Sequence, residues 1–222
     1  MTDSQISLVE MCERFGRIYT GAITDVLDEM NYYHQTLPWE LRPIKFGIRT
    51  AGAAFPVLGH PRRQVDYEAS IRPILKMLGE VPADSVVVYE TNDLKAAQLG
   101  ELSVTSIKTR GCRGAIVDGG VRDVDYILRE DFPVWARYQT PADSVPRWQI
   151  VDWNCEVMIG DVRLKPGDLV VADHDGIVAI PQAISAEVLL QCEELVKTES
   201  KVRAAVSQGI PPLEAYDQYG EF

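Results

Sequence analysis

Apolar positions fall in two rhythms along this chain. Leu8, Met11, Cys12 and Phe15 recur at helical spacing, and residues 5–17 read as a first helix weakened by Gly16. Ile23, Val26, Leu27 and Met30 repeat the pattern, with Thr20 as the expected cap and Asp25 and Asp28 on the polar side. From Leu37 to Leu58 the texture changes to short apolar pieces broken by Pro38, Pro43, Gly47, Gly52 and Pro56, which is strand and turn material. Gly59–Arg63 reads as a polar loop. A helix follows over Tyr67–Met77, with Pro73 expected to limit or kink it.

Strand rhythm dominates the middle. Ser85–Tyr89 is a β-branched run, and Ala115–Val117 is a second buried strand. Helical stretches stand before it, around Leu102, Val104 and Ile107, and after it, around Val124, Ile127 and Leu128. Short strands are expected at 134–136, 148–153, 155–159, 168–171 and 176–180, with Pro166-Gly167-Asp168 and Asp173-His174-Asp175-Gly176 as turns. A last helix spans roughly 185–206. Its stripe of Val188, Cys192, Leu195, Val202 and Val206 is interrupted by Glu199, a carboxylate that needs a partner or water there. The tail ends in Tyr216, Tyr219 and Phe222, which would either pack on another subunit or fray. Strands mixed with helices predict a layered α/β sandwich in one domain over 1–222.

Composition narrows the function classes. The net charge of −11 disfavours nonspecific nucleic-acid binding. No run is long and apolar enough for a membrane span, and Met1–Glu10 has the wrong charge for a signal peptide. Cys12, Cys112, Cys155 and Cys192 are too scattered for a zinc pattern and read as reduced thiols, which points to the cytoplasm.

The candidate chemistry lies between Gly100 and Asp123. Gly100-Glu101-Leu102-Ser103 opens a helix, and Asp118-Gly119-Gly120-Val121-Arg122-Asp123 follows the strand. A βαβ-sized span lets these two polar ends meet. Arg122 offers a planar fork of donors for a carboxylate, and Asp123 a hard oxygen for a divalent ion such as magnesium. Side by side they would hold a 2-oxo acid and stabilise the enolate left when the neighbouring carbon–carbon bond breaks. Glu101 could orient Arg122 or a metal-bound water. The same residues also suit an ordinary strand-to-helix turn with a capping Asp, a surface Arg and a helix-start Glu. Neither a dinucleotide fingerprint nor a Walker loop is present.

Gly100-Glu101 with Arg122-Asp123 resembles the signature of the RraA-like family. That family includes 4-hydroxy-4-methyl-2-oxoglutarate/4-carboxy-4-hydroxy-2-oxoadipate aldolases and the regulator of ribonuclease activity A. The similarity begins at Thr24-Asp25-Val26-Leu27-Asp28. It continues through Gly111-Cys112-Arg113-Gly114, Pro166-Gly167-Asp168 and Asp173–Pro181 into the last helix. It implies a β/β/α sandwich of the swivelling-domain type with N-terminal and C-terminal helices, assembled as a homotrimer or homohexamer with sites between subunits. It implies Mg2+ or Mn2+ on Asp123, Arg122 on the pyruvate part, and amides of Glu101–Ser103 around its carboxylate. The family position matching Glu101 is usually Asp, one methylene shorter. A last-helix Glu of a neighbouring subunit is implied near the metal waters; Glu199 is the match, with Glu193 and Glu194 as alternatives. The implied activity is release of pyruvate from a 4-hydroxy-2-oxo diacid, with oxaloacetate decarboxylation beside it. The alternatives are inhibition of a ribonuclease by protein contact, or another metal-dependent hydrolysis or decarboxylation of an oxo acid.

Overall fold

A computed structural model describes residues 6–63 and 66–221. Gln5, where the first helix was expected to begin, and Phe222 of the aromatic tail lie outside the described residues.

In chain order, helices α1 (Leu8–Phe15) and α2 (Thr20–Glu29) precede strands β1 (Arg42–Pro43) and β2 (Thr50–Pro61). Then come α3 (Tyr67–Glu80), β3 (Ser85–Glu90), β4 (Ala97–Leu99), α4 (Glu101–Thr109), β5 (Gly114–Val121), α5 (Val124–Arg129) and β6 (Val134–Gln139). Antiparallel material follows as β7 (Trp148–Trp153), β8 (Val157–Ile159), β9 (Val162–Leu164), β10 (Leu169–Ala172) and β11 (Ile177–Ile180). The chain ends in α6 (Ser185–Ser207) and α7 (Pro212–Tyr219).

The sheet runs β1-β6-β5-β3-β2-β10-β11, with β4 added to β5 and β7 to β2; β8 and β9 form a separate hairpin. Its centre, β2-β3-β5-β6, is parallel, and β10, β11, β7 and β1 join antiparallel. Both faces of the centre are covered, so its strands are apolar on both sides rather than alternating. Val87, Tyr89, Ala115 and Val117 face a core shared with α3, α4 and α5. Val86, Val88 and Ile116 face a second core closed by the β8–β9 hairpin and by Val170 and Ala172. Leu169, Val171, Val178 and Ile180 turn to a third, under α1, α2 and α6. This is the expected layered α/β sandwich with helices at both ends of the chain.

Several local expectations are corrected. Gly59 and His60 are not loop: β2 continues to Pro61 and pairs with β7, Gly59 opposite Ile150. A Cβ on Gly59 would overlap the ring of Trp148, which fills the space where a side chain would be. Helix α3 passes through Pro73 to Glu80. Asp93 Oδ2 accepts from Ala96 N at 2.8 Å, fixing the chain just before β4. Thr20 is the first residue of α2, and its amide and hydroxyl both donate to Asp173 from across the fold, at 2.9 and 2.7 Å.

Candidate active site

Gly119 and Gly120 form part of β5, which runs to Val121; the turn expected at these glycines is Arg122-Asp123. The extension exists because β4 pairs here, Ala97 with Gly120 and Leu99 with Val121. Both glycines are required by space. A Cβ on Gly119 would meet Gln98 and Thr91 at 2.6 Å, and one on Gly120 would meet Ala96 O and the Tyr138 ring at 2.5 Å. Beneath them lies a satisfied polar floor: Gln98 Oε1 accepts from Gly120 N at 3.1 Å, and Gln98 Nε2 donates to Asp93 Oδ2 at 2.9 Å. Asp118 turns to the opposite side of the strand and pairs with Arg137, though burial still raises its carboxyl above the usual range.

Pairing of β4 with β5 brings the two polar ends together. Asp123 Oδ2 lies 3.4 Å from Glu101 N, at the first turn of α4. A Cβ on Gly100 would sit 2.8 Å from that oxygen and 3.3 Å from Arg122 Nε, so Gly100 permits the approach. Asp123 adopts the left-handed conformation, φ 57° and ψ 34°, uncommon outside glycine, asparagine and aspartate. That backbone turns its carboxylate away from its own helix, whose start it does not cap with its side chain, toward α4. Arg122 lies between two acids: its Nε is 3.5 Å from Asp123 Oδ2, and its Nη1 is 3.3 Å from Asp143 Oδ1.

Leu102 and Ser103 are the next residues of α4, and their amides fall in the first turn, where helical N–H groups have no intrahelical acceptor. With the positive end of the helix dipole they favour an anion beside Arg122. Gly100, Leu102, Ser103, Arg122, Asp123 and Asp143 line one cavity of about 240 Å³.

The Glu101 carboxylate points elsewhere, and Glu199, expected to serve the site of a neighbouring subunit, has partners within its own chain. The Glu101 carboxylate accepts from Thr105 Oγ1 at 3.3 Å along its own helix, and no ion pair joins it to Arg122 among the described residues. Asp143 takes the orienting place that sequence reasoning gave to Glu101. Only its position in the loop after β6 hinted at it. Glu199 accepts a hydrogen bond from Tyr19 Oη and pairs with Arg203 at 3.7 Å, away from Arg122 in the same chain. Glu193 is held by Arg14 at 2.7 Å, and Glu194 by Lys197 at 2.6 Å.

Among the described residues no group of three His, Cys, Asp or Glu side chains converges as a metal cage. The donors at the site are carboxylate oxygens, and Asp123 is about half exposed at 45%. This set fits a hard divalent cation held by one carboxylate and completed by water, and it does not fit a softer ion that wants nitrogen or sulfur.

A family model described as RraA-like, Aldolase/RraA, matches residues 20–179. A protein of Halalkalibacterium halodurans, provisionally named a 4-hydroxy-4-methyl-2-oxoglutarate aldolase, is 27% identical over 208 residues, 94% of each chain. Among solved structures, one described as belonging to novel cellulases from gut-associated microbes is 34% identical with TM-score 0.84, covering 90% of this chain and 91% of that one. Streptomyces coelicolor RraAS2, described as an unusual member of the RNase ES inhibitor RraA family, shares the fold at TM-score 0.80 and 24% identity, over 90% of this chain and 98% of its own.

Proposed function

We infer, from the premise that this chain belongs to the RraA-like family, that it is a divalent-metal-dependent lyase releasing pyruvate from a 4-hydroxy-2-oxo acid. The observation that carries this reading is Arg122, held between Asp123 and Asp143 at the open start of α4. A guanidinium fixed on two sides presents its remaining donors to a substrate carboxylate without first having to be ordered. The Leu102 and Ser103 amides take the other carboxylate oxygen and share its charge with the helix dipole.

Asp123, with water, would hold magnesium or manganese, which when bound supplies Lewis acidity at the keto oxygen. As the bond between carbons 3 and 4 breaks, negative charge grows on the keto oxygen. Arg122 and the start of α4 are fixed by the fold before substrate arrives, so they need no reorganisation as charge develops. The same receptor serves loss of carbon dioxide from oxaloacetate, because both reactions pass through pyruvate enolate.

The branched diacids 4-hydroxy-4-methyl-2-oxoglutarate and 4-carboxy-4-hydroxy-2-oxoadipate head the substrate panel, the first being the compound in the relative's name. Pyruvate is read by lactate dehydrogenase and NADH oxidation. EDTA should stop its release, and magnesium or manganese should restore it. Absence of metal-dependent pyruvate across the panel would reject the lyase reading and favour regulation by protein contact. We further propose a homotrimer or homohexamer in which Glu199 of one chain approaches Arg122 of the next. Sedimentation as a monomer at micromolar concentration would rule it out.

A further inference from the structure

Retro-aldol cleavage turns the carbon-4 hydroxyl into a carbonyl, so some group must take its proton as the bond between carbons 3 and 4 breaks. The lining of the Arg122 cavity narrows the choice. Gln98, Ser103, Ser106 and Ser144 supply its neutral polar surface, and none of them is a base near neutral pH. The Gln98 amide is also engaged, accepting from Gly120 N and donating to Asp93. Among the described residues no histidine or lysine lines the cavity, and its two carboxylates are Asp123 and Asp143. Asp123 is committed to the cation, and the Glu101 carboxylate is turned to Thr105.

Asp143 is anchored to the edge that sets Arg122 and Asp123. Thr140 N donates to Val121 O at 3.0 Å, Ala97 N donates to Ala142 O at 2.8 Å, and Asp143 forms a parallel bridge with Ala97 of β4. Arg147 Nη1 donates to Asp143 O at 2.8 Å from the following turn. The two carboxylate oxygens then differ. Oδ1 accepts from Val145 N at 3.3 Å and lies 3.3 Å from Arg122 Nη1. Oδ2 has no hydrogen-bond or ion-pair partner among the described residues, and the side chain is 36% exposed where it lines the cavity. One oxygen is fixed, and the other keeps its lone pairs open. Asp123 meets the guanidinium at Nε and Asp143 meets it at Nη1, so the two acids take different edges. Carbon 4 lies three bonds from the carboxylate carbon that Arg122 grips, which keeps its hydroxyl within reach of an acid on the guanidinium's own edge.

We propose that Asp143 is the general base of the cleavage and takes the carbon-4 hydroxyl proton on Oδ2. This rests on the lyase reading and adds a catalytic residue to it. As Oδ2 binds the proton, the electrons of the broken O–H bond form the carbonyl at carbon 4. The bond between carbons 3 and 4 breaks, and its electron pair passes to carbon 3 as pyruvate enolate. The carbonyl product departs, and Asp143 gives the proton to carbon 3, which restores the carboxylate. One proton moves from oxygen to carbon, and no electron donor or acceptor is needed. Loss of carbon dioxide from oxaloacetate has no hydroxyl proton to remove, and its enolate takes a proton from water. The two reactions therefore share Arg122 but differ in their need for Asp143.

The test asks whether Asp143→Asn separates the two reactions, with the full chain and magnesium. Asparagine keeps the shape and an oxygen for Arg122 and Val145 N, but it cannot take a proton. Its kcat for pyruvate release from 4-hydroxy-4-methyl-2-oxoglutarate should fall about 10²–10³-fold, while oxaloacetate decarboxylation stays within about threefold. Calorimetric titration with 2-oxobutyrate, which has no carbon-4 hydroxyl, should give an unchanged Kd and decides the same question without turnover. Arg122→Ala should depress both reactions and this binding together. Asp143→Glu, which returns a carboxylate one methylene further out, should recover part of the cleavage. Equal losses in the two reactions of Asp143→Asn, or weakened 2-oxobutyrate binding, would overturn the proposal, because Asp143 would then only orient Arg122. Cleavage by Asp143→Asn at the native rate would also overturn it. Selective loss of cleavage in Glu199→Gln would then move the base to the neighbouring subunit. No pyruvate from the native chain with any branched diacid would overturn the lyase reading, and the proposal with it.

Discussion

The corner around Arg122 and the helical layer of α1, α2 and α6 both carry charges, but they treat them differently. In the helical layer, several charges and polar groups are matched to one another. Arg14 clamps Glu193 with two donors at 2.8 and 2.7 Å, Tyr19 donates to Glu199, and Thr20 directs both donors to Asp173. At the corner, Arg122 meets its two acids only at 3.3–3.5 Å, and the amides of α4 point into a cavity. The first arrangement holds elements together. The second keeps donor capacity in reserve, and the polar floor of Asp93 and Gln98 fixes the backbone beneath it. Charges that are saturated stabilise the fold, and charges held in position but unsaturated are available for chemistry.

That contrast predicts large activity losses with little loss of stability at the corner, and the reverse in the helical layer. Arg122→Ala should lower pyruvate release by roughly 10²–10³-fold or more with an unchanged melting temperature. Arg122→Lys should recover little, because an ammonium lacks the two-point fork. Asp123→Asn keeps a residue that tolerates φ 57°. It should need on the order of 100-fold more magnesium or manganese for half-activation, read as a metal titration of turnover. Gly100→Ala should cut kcat on the order of 10–100-fold, since its methyl displaces Asp123 and Arg122, with about 1 kcal/mol lost in denaturant unfolding.

Glu199→Gln sharpens the comparison further. A carboxamide still accepts from Tyr19, so unfolding free energy should move by less than about 1 kcal/mol. If Glu199 serves a neighbouring subunit, turnover falls about tenfold or more at that nearly constant stability. Unchanged turnover would return Glu199 wholly to the structural layer.

The smallest effect is expected at Glu193, whose pairing with Arg14 depresses its carboxyl below its ordinary 4.5. A depressed folded-state value adds stability above the unfolded value and loses it as pH falls through the folded one. Glu193→Gln should therefore cost about 0.5–1 kcal/mol near pH 7, discounted for partial exposure, and nothing once the native carboxylate is protonated. Thermal melts at both pH values measure the gap, and turnover should not change.

Much of this was legible in the sequence because it is local. Runs such as Val86–Val88 and Ala115–Val117 identify buried strands from composition alone, and a βαβ span brings Gly100 near Asp123 by connectivity. What escaped depends on partners distant in the chain. The glycines after Asp118 read as a turn because nothing local reveals that β4 lies beside them. Glu101 has the right spacing to face Arg122, yet its carboxylate found Thr105 one helical turn on. Asp143 belongs to a polar loop whose landing place is set by β6, and no periodicity marks it.

Trp148 carries a consequence of another kind. Its indole occupies the space above Gly59 and donates at 2.7 Å to Thr91 O, while Thr91 Oγ1 donates to Asp118 O at the strand leading to the site. Trp135, equally buried, donates to Asp173 O at the opposite end, beside the helical layer. Two shielded indoles thus report separately on the corner and on the helical layer. In a chain whose Trp39 and Trp153 are already phenylalanine, replacing either buried indole leaves the other as an optical signal for its own surroundings, with no label attached.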